Sequence, residues 1–577
     1  MRARRSTSRR SFISPAWRRF ANLAICLSHT ARRSYARRMT DRAHGTSEHL
    51  PHQSIVRRCD VAVIGGSAAG LAAALQLVRQ RRSVIVVEDG TPRNAPAAHM
   101  HGYLGREGTP PEAMRTIGRE EVHSYGGNVL TGRVLAVRTE DDGFHLALSG
   151  GHGLVARRIL AATGIADELP DIEGLAERWG RQVINCPFCH GWEVRDLRVV
   201  QIVTTAIGLH PTPLMRHLTD QLTVVLHDAT GIDPAAVQTL VTSGVPVVES
   251  AVRRVADAGP DGSLVVELAD GRSLPTDAIL TGARFRPRVE TLAGLGIVTT
   301  AHPSGLGDLV AVDSTGRTNV EGVFAAGNLT DPSAQVLQAA ANGSWIGAQI
   351  AFSLAAEDTT AGVRPSGVAI EWDSRYGEQE RMWSANPNGT LMTEATDLSP
   401  GRALDVGAGE GADALWLAER GWQVTASDVS SRALDRIRSE AERRGLDVRT
   451  LHCDANDPAA YADETYDLVS LQYGSFQRTP EQRGLRNLLD AVTVGGTLLV
   501  VGHDLTSLQQ PSDPGEQTRM YDPEAYVGID EIAAAITASG DWRIDVNETR
   551  PRPPGAMSTH HVNDVVLRAV RLGRRME

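Results

Sequence analysis

Long hydrophobic runs, cysteines and, before Asp41, acidic side chains are scarce in this chain of 577 residues. No uninterrupted apolar run reaches about 18 residues, so no transmembrane helix is predicted. The five cysteines are too few for a disulfide framework, and only Cys186 and Cys189 lie close together. The net charge of -10 argues against nucleic acid as the main partner, because phosphate binding requires clustered lysine and arginine. We therefore expect a cytoplasmic protein with neither membrane nor nucleic acid as a partner.

The first residues, 1–57, are expected to contribute nothing to a folded core. Their arginine-rich composition is typical of transit peptides and of misassigned start codons. The stretch Ser8–Ile13 is similar to a twin-arginine export signal, but further arginines interrupt the apolar run that should follow. We interpret 1–57 as a basic, disordered or mis-started extension, with Met39 nearer the true start.

Length and glycine content indicate several α/β domains. A chain of 577 residues exceeds the size at which one hydrophobic core keeps growing, and this predicts roughly three or four domains. The 56 glycines fit domains with many tight turns between strands and helices.

A first nucleotide site is predicted after the apolar segment DVAVIGG at 60–66, which leads directly into a helical stretch. Such a strand, turn and helix brings backbone N–H groups and a helix dipole against a pyrophosphate, so small residues are required in the turn. Serine stands at the middle glycine of the dinucleotide pattern, so the turn alone leaves a merely structural role open. The next strand ends at Glu88, whose carboxylate can accept hydrogen bonds from ribose hydroxyls. The cofactor contacts expected in the turn are Gly65, Gly66, Ser67, Ala68 and Gly70.

Further motifs follow in an order that resembles the thioredoxin-reductase branch of the two-dinucleotide-domain flavoproteins, over about residues 58–355. They are RNAPAAHMHGYL from residue 93, ILAATG at 159–164 and TNVEGVFAAGN at 318–328. The resemblance implies that the first site holds FAD and that the protein is a homodimer. The residues that it implies as further FAD contacts are Arg93, Asn94, Thr163, Gly164, Gly327, Asn328, Gln335 and Val336. The family usually has aspartate where this chain has Asn328, which puts the flavin affinity in question.

The hexapeptide NCPFCH at 185–190 indicates redox chemistry. Two thiols that are two residues apart near a helix N-terminus favour a lowered thiol pKa and a small disulfide ring. Half of a zinc site and a plain pair of buried thiols are the alternatives. A second Cys/His pair with ligand spacing is missing from the sequence, so no metal site is predicted.

In the resembled family, the CxxC motif lies at the start of an inserted pyridine-nucleotide domain. The resemblance implies that Cys189 lies nearer the flavin and that Cys186 attacks the external disulfide. His190 stands where bacterial reductases have aspartate, and a histidine with a pKa of about 6.5 can move that proton at neutral pH. This resembles the branch that includes fungal dithiol oxidases and reductases of epidithio compounds. The expected partner is therefore a small-molecule disulfide or dithiol, or else a thioredoxin-like protein.

The second nucleotide turn departs from the family pattern. The strand-like run at 197–207 leads into a turn that keeps only Gly208, and its β-branched residues would crowd a pyrophosphate. The next strand, LTVVLH, is followed by Asp228 and by no arginine cluster for a 2′-phosphate. We expect binding of NADPH or NADH to be weakened or lost, with an atypical binding mode as the alternative.

A second resemblance begins at RALDVGAGEGADALWLAERG, residues 402–421, which is similar to motif I of class I methyltransferases. It implies that S-adenosylmethionine is bound by the turn around Gly407 and Gly409 and by Asp405 before it. Asp428 ends the next strand and suits the ribose hydroxyls, and Asp454 lies where the family contacts adenine. A sugar-nucleotide or NAD domain is the alternative.

The methyl acceptor is expected to be a small molecule, but no catalytic residue can be named. Methyl transfer requires in-line placement of a nucleophile more than a particular base. Tyr376 and Trp383 lie in a segment that resembles a lid helix of small-molecule methyltransferases. The candidates for an acceptor-side role are His503, Tyr473 and the pair His560–His561.

The predicted fold class is α/β: two Rossmann-like dinucleotide-binding domains, the second inserted in the first, followed by a Rossmann-like methyltransferase domain. The expected boundaries are 58–180 and 296–355 for the FAD domain, 181–295 for the NAD(P)-type domain, 356–370 for a linker and 371–577 for the methyltransferase domain.

The predicted function is that of a bifunctional enzyme. An FAD-dependent dithiol/disulfide oxidoreductase that uses Cys186 and Cys189 is joined to a methyltransferase. The alternatives are a flavin-bound redox sensor or scaffold that regulates the methyltransferase, and an oxygen-using dithiol oxidase. One hypothesis joins the halves: the first releases a thiol or a reduced chalcogen that the second methylates.

Overall fold

The computed structural model describes residues 54–260, 262–362, 367–462, 464–506, 513–553 and 562–573. The predicted extension therefore lies outside the described residues up to position 53, as does Met39. The first strand begins at Val56, two residues before the expected start of the FAD domain. None of the helices in these ranges combines the length and the apolar character needed to cross a bilayer.

Residues 54–260 and 262–362 form many short strands and fewer helices. The strands are β1 Val56–Ile64, β2 Val84–Glu88, β3 Asn128–Thr131, β4 Val134–Glu140, β5 Gly143–Leu148, β6 Gly153–Ala161, β7 Ile165–Glu168, β8 Val183–Ile184, β9 Val199–Thr205, β10 Leu222–Thr230, β11 Val247–Glu249, β12 Val252–Asp257, β13 Leu264–Leu268, β14 Ser273–Thr276, β15 Ala278–Thr281, β16 Arg284–Pro287, β17 Thr299–Ala301, β18 Asp308–Val310 and β19 Val323–Ala325. The helices are α1 Ala68–Val78, α2 Pro111–His123, α3 Pro187–His190, α4 Thr212–Leu218, α5 Pro234–Thr242 and α6 Val336–Ala361.

The first sheet has the strand order β3, β2, β1, β6, β5, β4, with β19 paired to β6. The pairs among β1, β2, β3, β6 and β19 are parallel, whereas β4, β5 and β6 pair antiparallel. Its central strands are continuous apolar runs because hydrophobic cores cover both faces of the sheet. Helices α1 and α6 pack together on one of these faces.

A second sheet, in the order β11, β10, β9, β15, β8, is parallel throughout its pairs. The antiparallel strands β12, β13 and β14 form a small sheet of their own, which shares a hydrophobic core with it. The antiparallel ribbon of β7 and β16 marks the place where the chain leaves the first sheet and returns to it.

The return occurs earlier than the expected position 296. Strand β16 pairs with β7 from Arg284, and Leu292 is fully buried in the core of the first sheet. The partly buried side chain of Leu295 packs against the same core. The crossing strand β16 is only four residues long, and its sequence RFRP does not resemble a domain boundary.

Two further local features differ from what the sequence suggested. Helix α6 continues to Ala361, into the segment expected as a linker, and Glu357 and Asp358 on its last turns form ion pairs with Arg157. Strand β10 does not end before Asp228 but runs on to Thr230 through a register shift, and Asp228 adopts a φ of 45°.

The described residues from Gly367 onward form a third sheet and its flanking helices. Its strands are β20 Arg402–Val406, β21 Gln423–Asp428, β22 Val448–His452, β23 Tyr466–Gln472, β24 Val492–His503, β25 Trp542–Pro551 and β26 Asn563–Arg571. Its helices are α7 Gly367–Glu378, α8 Gly389–Ala395, α9 Ala412–Glu419, α10 Ser431–Arg444, α11 Arg483–Asp490 and α12 Ile529–Ser539.

The third sheet has the order β22, β21, β20, β23, β24, β26, β25, in which only the pairs made by β26 are antiparallel. Hydrophobic cores lie on both of its faces, under helices such as α10 and α12. The three open sheets with flanking helices confirm the predicted α/β fold class.

The ion pair of Arg57 with Glu371 joins β1 to α7, and both side chains are largely buried. We predict that Arg57→Ala lowers the free energy of unfolding by about 3–5 kcal/mol, because Glu371 is left without its cation. The neighbouring pair of Arg58 and Asp142 is more exposed, so Arg58→Ala should cost about 0–1 kcal/mol. Urea unfolding followed by circular dichroism compares the two variants. Equal losses would show that the Arg57 pair does not hold these elements together.

Candidate functional site

A cavity of about 830 Å³ opens where several strands of the first sheet end. Its volume lies within the range of small-molecule and cofactor sites, about 300–1,000 Å³. The predicted site residues in its wall are Gly65, Gly66, Ser67, Ala68, Glu88, Arg93, Asn94, Thr163, Gly164, Cys186, Cys189, His190, Gly327, Asn328, Gln335 and Val336. Residues from five separate parts of the sequence are thus brought to one site.

The turn between β1 and α1 is as tight as the sequence indicated. Gly65 adopts a φ of 112°, and a Cβ there would lie 2.4 Å from the carbonyl oxygen of Ala162. Gly70 does not line the cavity: a Cβ on it would lie 1.9 Å from the carbonyl oxygen of Gly65. The absence of a side chain at Gly70 therefore lets the helix pack closely against the turn, and a direct cofactor contact at Gly70 stays a prediction.

The first turn of α1 presents the donors that an anionic group requires. Ser67 is the N-cap residue and forms no side-chain capping bond, so the first backbone N–H groups of the helix have no capping partner from it. A helix N-terminus that faces a cavity in this way suits a pyrophosphate. The residues present therefore fit the FAD that the fold family implies.

Glu88 lies at the end of β2, as expected for a ribose contact, but it is already engaged. Its Oε2 accepts a hydrogen bond from Arg115 at 3.0 Å and its Oε1 accepts one from Arg119 at 2.7 Å. A Cβ on Gly66 would lie 2.4 Å from Oε2. The two arginines neutralise the carboxylate, which removes a repulsion against a neighbouring phosphate.

Several of the other expected FAD contacts are held by the protein itself. Arg93 forms two hydrogen bonds of 2.7 Å with Asp167. The amide nitrogen of Asn328 donates to the carbonyl oxygen of Ala334 at 2.8 Å, and Gln335 caps α6. Thr163 Oγ1 donates to a carbonyl oxygen at 2.6 Å. These bonds fix the loops that line the cavity, a role that the sequence did not suggest for them.

The two thiols of the redox motif lie in the wall of this cavity. Both are unbonded cysteines, and Cys186 is the N-cap residue of α3. A hydrogen bond with Cys189, helped by the backbone N–H groups of Cys189 and Phe188 and by the charge of Arg93, lowers the pKa of Cys186 to about 6. The same shared proton, together with burial, raises the pKa of Cys189. One thiolate at neutral pH is the form that attacks a disulfide.

His190 follows the pair in the same wall. Burial lowers the pKa of its imidazole, and the carboxylate of Glu193 only partly opposes this effect. His190 is therefore neutral at pH 7 and able to accept a proton.

The turn after β9 lacks the features of a pyrophosphate site. It continues into a short 3-10 helix, Ala206–Leu209, in which Gly208 has no left-handed backbone. The buried Gln201 donates to the carbonyl oxygen of Gly208 at 2.6 Å. Near this turn the cavity wall contains the apolar side chains of Ile207 and Leu214 beside the polar side chains of Gln201 and His210. None of these four is a lysine or an arginine that could pair with a phosphate.

The second predicted site lies where β20 and β21 end. Gly407 adopts a φ of 66°, and a Cβ there would have no neighbour within 4 Å, so the backbone can closely approach a ligand. Asp428 accepts hydrogen bonds from the backbone N–H of Gly409 at 2.9 Å and of Ser430 at 2.8 Å. Asp454 caps its own turn by accepting from Asn456 at 2.8 Å.

Buried carboxylates surround this turn. Burial raises the pKa of Asp405, of Asp413 to about 6, and of Asp428. Among the described residues, Asp405 Oδ2 is buried without a hydrogen-bond partner. A cation would stabilise all three carboxylates, so the residues present fit S-adenosylmethionine, which carries a sulfonium and an ammonium group.

Tyr376 and Trp383 lie over the glycine turn, as expected for a lid. The indole N–H of Trp383 donates to Tyr376 Oη at 3.1 Å, and a Cβ on Gly409 would lie 3.1 Å from that oxygen. The segment is held by Glu410, which accepts from the backbone N–H of Trp383 at 2.8 Å and pairs with Arg436.

A buried polar cluster adjoins the turn at the ends of β23 and β24. Tyr473 adopts a φ of 52°, stacks on His503 with 4.6 Å between ring centroids, and donates to Asp564 at 2.8 Å. Asp564 also accepts from Thr390 at 2.6 Å and pairs with Arg552 at 3.0 Å. Burial raises the pKa of Tyr473 to about 12. The pair His560–His561 lies outside the described residues.

Sequence reasoning missed Asp564, Thr390 and Arg552. Thr390 is distant in sequence from Arg552 and Asp564, and none of the three belongs to a recognisable motif. Of the cluster, only Tyr473 and His503 were predicted as candidates.

Comparisons with known proteins match both halves. Residues 59–344 match the pyridine nucleotide-disulphide oxidoreductase family, and residues 403–496 match a methyltransferase domain. Thioredoxin reductase sirT of Leptosphaeria maculans is 30% identical over 324 residues, which cover 52% of this chain and 96% of that protein. The tRNA 5-carboxymethoxyuridine methyltransferase of Escherichia coli K12 is 33% identical over 110 residues, 18% of this chain and 42% of that protein. The crystal structure of HlmI is 38% identical, covers 55% of this chain and 97% of that chain, and has a TM-score of 0.49.

The shared proton of the thiol pair leads to a test. In the reduced protein, alkylation of Cys186 by iodoacetamide should reach half its maximal rate near pH 6. In Cys189→Ala the hydrogen-bond partner is lost, so the midpoint should move up toward about 8.5. Peptide mass spectrometry measures both profiles. Cys453 is an internal control, because burial raises its pKa to about 11. An unchanged midpoint in the variant would contradict the shared proton.

Proposed function

Because the chain belongs to the pyridine nucleotide-disulphide oxidoreductase family through its thioredoxin-reductase-like first half, we propose that this half interconverts a dithiol and a disulfide through Cys186 and Cys189. The presence of both thiols in the wall of the cavity that fits FAD carries this proposal. The family implies FAD and NAD(P)H, and the methyltransferase domain implies S-adenosylmethionine. The chain is accordingly an enzyme of both kinds, an oxidoreductase and a methyltransferase.

In the reductive direction, the proposed thiol–disulfide exchange has two steps, and oxidation of a substrate dithiol is their reverse. The Cys186 thiolate attacks one sulfur of a substrate disulfide, and the other substrate sulfur leaves as a thiolate that takes a proton. Attack by Cys189 on the mixed disulfide then releases the second substrate thiol and leaves a Cys186–Cys189 disulfide. Neutral His190 accepts and returns the proton in this exchange. Bound FAD would supply the two-electron exchange that reduces or oxidises the pair.

The second nucleotide turn favours oxidation of the substrate over its reduction. Its apolar lining by Ile207 and Leu214 and the absence of a left-handed glycine disfavour a nicotinamide pyrophosphate. We therefore favour entry of electrons from a substrate dithiol, so that the substrate is oxidised to a disulfide. With oxygen as the final acceptor, two electrons and two protons give hydrogen peroxide. The substrate class proposed is a small dithiol with an apolar body, which the same lining would accommodate.

For the second half we propose methyl transfer from S-adenosylmethionine to a small-molecule acceptor. The cofactor would be held by the Gly407 turn, Asp405 and Asp428, with Asp454 beside it. The acceptor would approach at the cluster of Tyr473 and His503, which lies where β23 and β24 end. The hypothesis that both halves act on one compound stays a prediction.

The direction of the redox reaction is tested by anaerobic titration of the purified yellow protein with NADPH, NADH and dithiothreitol. We expect dithiothreitol to bleach the flavin absorbance and the nicotinamides to leave it unchanged. Cys189→Ser should abolish bleaching by the dithiol, because the pair can no longer form its disulfide. Bleaching by NADPH or NADH would show instead that electrons enter from the nicotinamide, so that the enzyme reduces a substrate disulfide. A preparation without flavin would contradict the proposed function as a whole.

The cofactor of the second half is tested by isothermal titration with S-adenosylmethionine. Asp428→Asn removes the charge and one of the acceptor oxygens, so we expect binding to weaken about tenfold. The control is Asp435→Asn, which makes the same change at an exposed site on α10 and should leave the affinity unchanged. Equal affinities in both variants would show that Asp428 does not contact the cofactor.

A further inference from the structure

The methyltransferase half covers an open edge of the first sheet. Strand β3 is the edge strand there, and its outer side would otherwise present unpaired backbone groups. Residues 513–522, which follow β24 in the sequence, run along this side. We call residues 513–522 the edge segment.

Hydrogen bonds join the edge segment to β3. The backbone N–H of Arg519 donates to the carbonyl oxygen of Thr131 at 2.9 Å. In the opposite direction, the backbone N–H of Val129 donates to Asp522 Oδ2 at 2.6 Å. His123 at the end of α2 contacts the same oxygen at 2.9 Å, and both side chains are buried. Edge pairing of this kind fixes the position of a strand.

The edge segment also contacts the turn that follows β3. Gly132 is buried, and a Cβ on it would lie 2.3 Å from Thr518 Oγ1. The hydroxyl of Ser149 donates to the carbonyl oxygen of Pro514 at 2.6 Å and accepts from the backbone N–H of Arg133 at 3.2 Å. The Ser149 hydroxyl therefore bridges the edge segment of the methyltransferase half and the backbone of Arg133.

This turn is part of the wall of the first cavity. Gly132, Arg133 and Val134 line the cavity, and the N–H of Gly132 donates to the carbonyl oxygen of Glu88 at 2.9 Å. Glu88 is the residue expected beside the ribose of the flavin. A displacement of the turn would therefore reach the adenosine end of the site.

We propose that the edge segment is a positioning element for the flavin site, contributed by the methyltransferase half. The two halves then do not act as independent modules, because the second half holds one wall of the cofactor site of the first. This inference rests on the proposed function, in which the cavity binds FAD.

The sharpest test is Gly132→Ala in the full chain. The added methyl group overlaps Thr518, while the backbone at Gly132 is not left-handed, so the change pushes the edge segment away without backbone strain. We expect FAD to bind about tenfold more weakly, as measured by flavin content and by rebinding after flavin removal. Affinity for S-adenosylmethionine should stay at the wild-type value. The matched control is Gly153→Ala on β6, where the methyl group meets its neighbours at an ordinary 3.5 Å.

The outcomes separate the two proposals. If the wild-type chain binds no FAD, the proposed function fails. If the wild type binds FAD and Gly132→Ala binds it as tightly as Gly153→Ala, only the role of the edge segment is overturned.

Asp522 provides the second test, which also decides the matter if Gly132→Ala does not fold. Asp522→Ala leaves the Val129 N–H and His123 without their partner, so FAD should again bind about tenfold more weakly. Asp522→Asn keeps an acceptor oxygen and should restore most of the affinity. The control is Asp545→Ala, which removes an exposed carboxylate on β25. Equal FAD affinity in Asp522→Ala and Asp545→Ala would overturn the inference.

Discussion

The buried guanidinium of Arg57 is the interaction on which the arrangement of the chain depends. It donates two hydrogen bonds to Glu371 on α7, one to the side chain of Asn128 on β3, and one to the carbonyl oxygen of Met520. Arg57 on β1 thereby joins the first sheet to two separate parts of the methyltransferase half. A buried charge is stable only with such partners, so loss of any one of them leaves an unpaired group.

The sequence allowed the local parts of the fold to be predicted. Each nucleotide-type turn is encoded in about twenty consecutive residues, because a strand, a glycine turn and a helix are neighbours along the chain. For this reason the turns at Gly65 and at Gly407 were located correctly. The departure of the second turn from the dinucleotide glycine pattern was also visible in the sequence, because Gly208 is its only glycine. Motif order then supplied the fold class, which depends on how such units are repeated.

What could not be predicted depends on contacts between distant residues. The last turns of α6 have a linker-like composition, but Glu357 and Asp358 tie them to distant arginines through ion pairs that the sequence does not reveal. Asp564 reaches Tyr473 across 91 positions of the sequence. The pairing of Asp522 with β3 spans almost four hundred residues and involves no motif. The close packing of Gly70 against Gly65 was also not predictable, because a pattern gives the spacing of glycines but not which of them contacts the protein backbone.

The two sites use one local geometry with opposite electrostatics. Beside the first turn, the carboxylate of Glu88 is neutralised by Arg115 and Arg119, and the helix N-terminus offers its positive end. An anionic pyrophosphate is stabilised there. At the second turn, burial raises the pKa values of Asp405, Asp413 and Asp428 because it disfavours their ionised forms, and a bound cation would stabilise those ionised forms. Strand, turn and helix therefore specify that a nucleotide-like ligand binds, whereas the surrounding charge determines which one. This is why the acidic neighbours distinguish the two halves of the chain better than the glycines do.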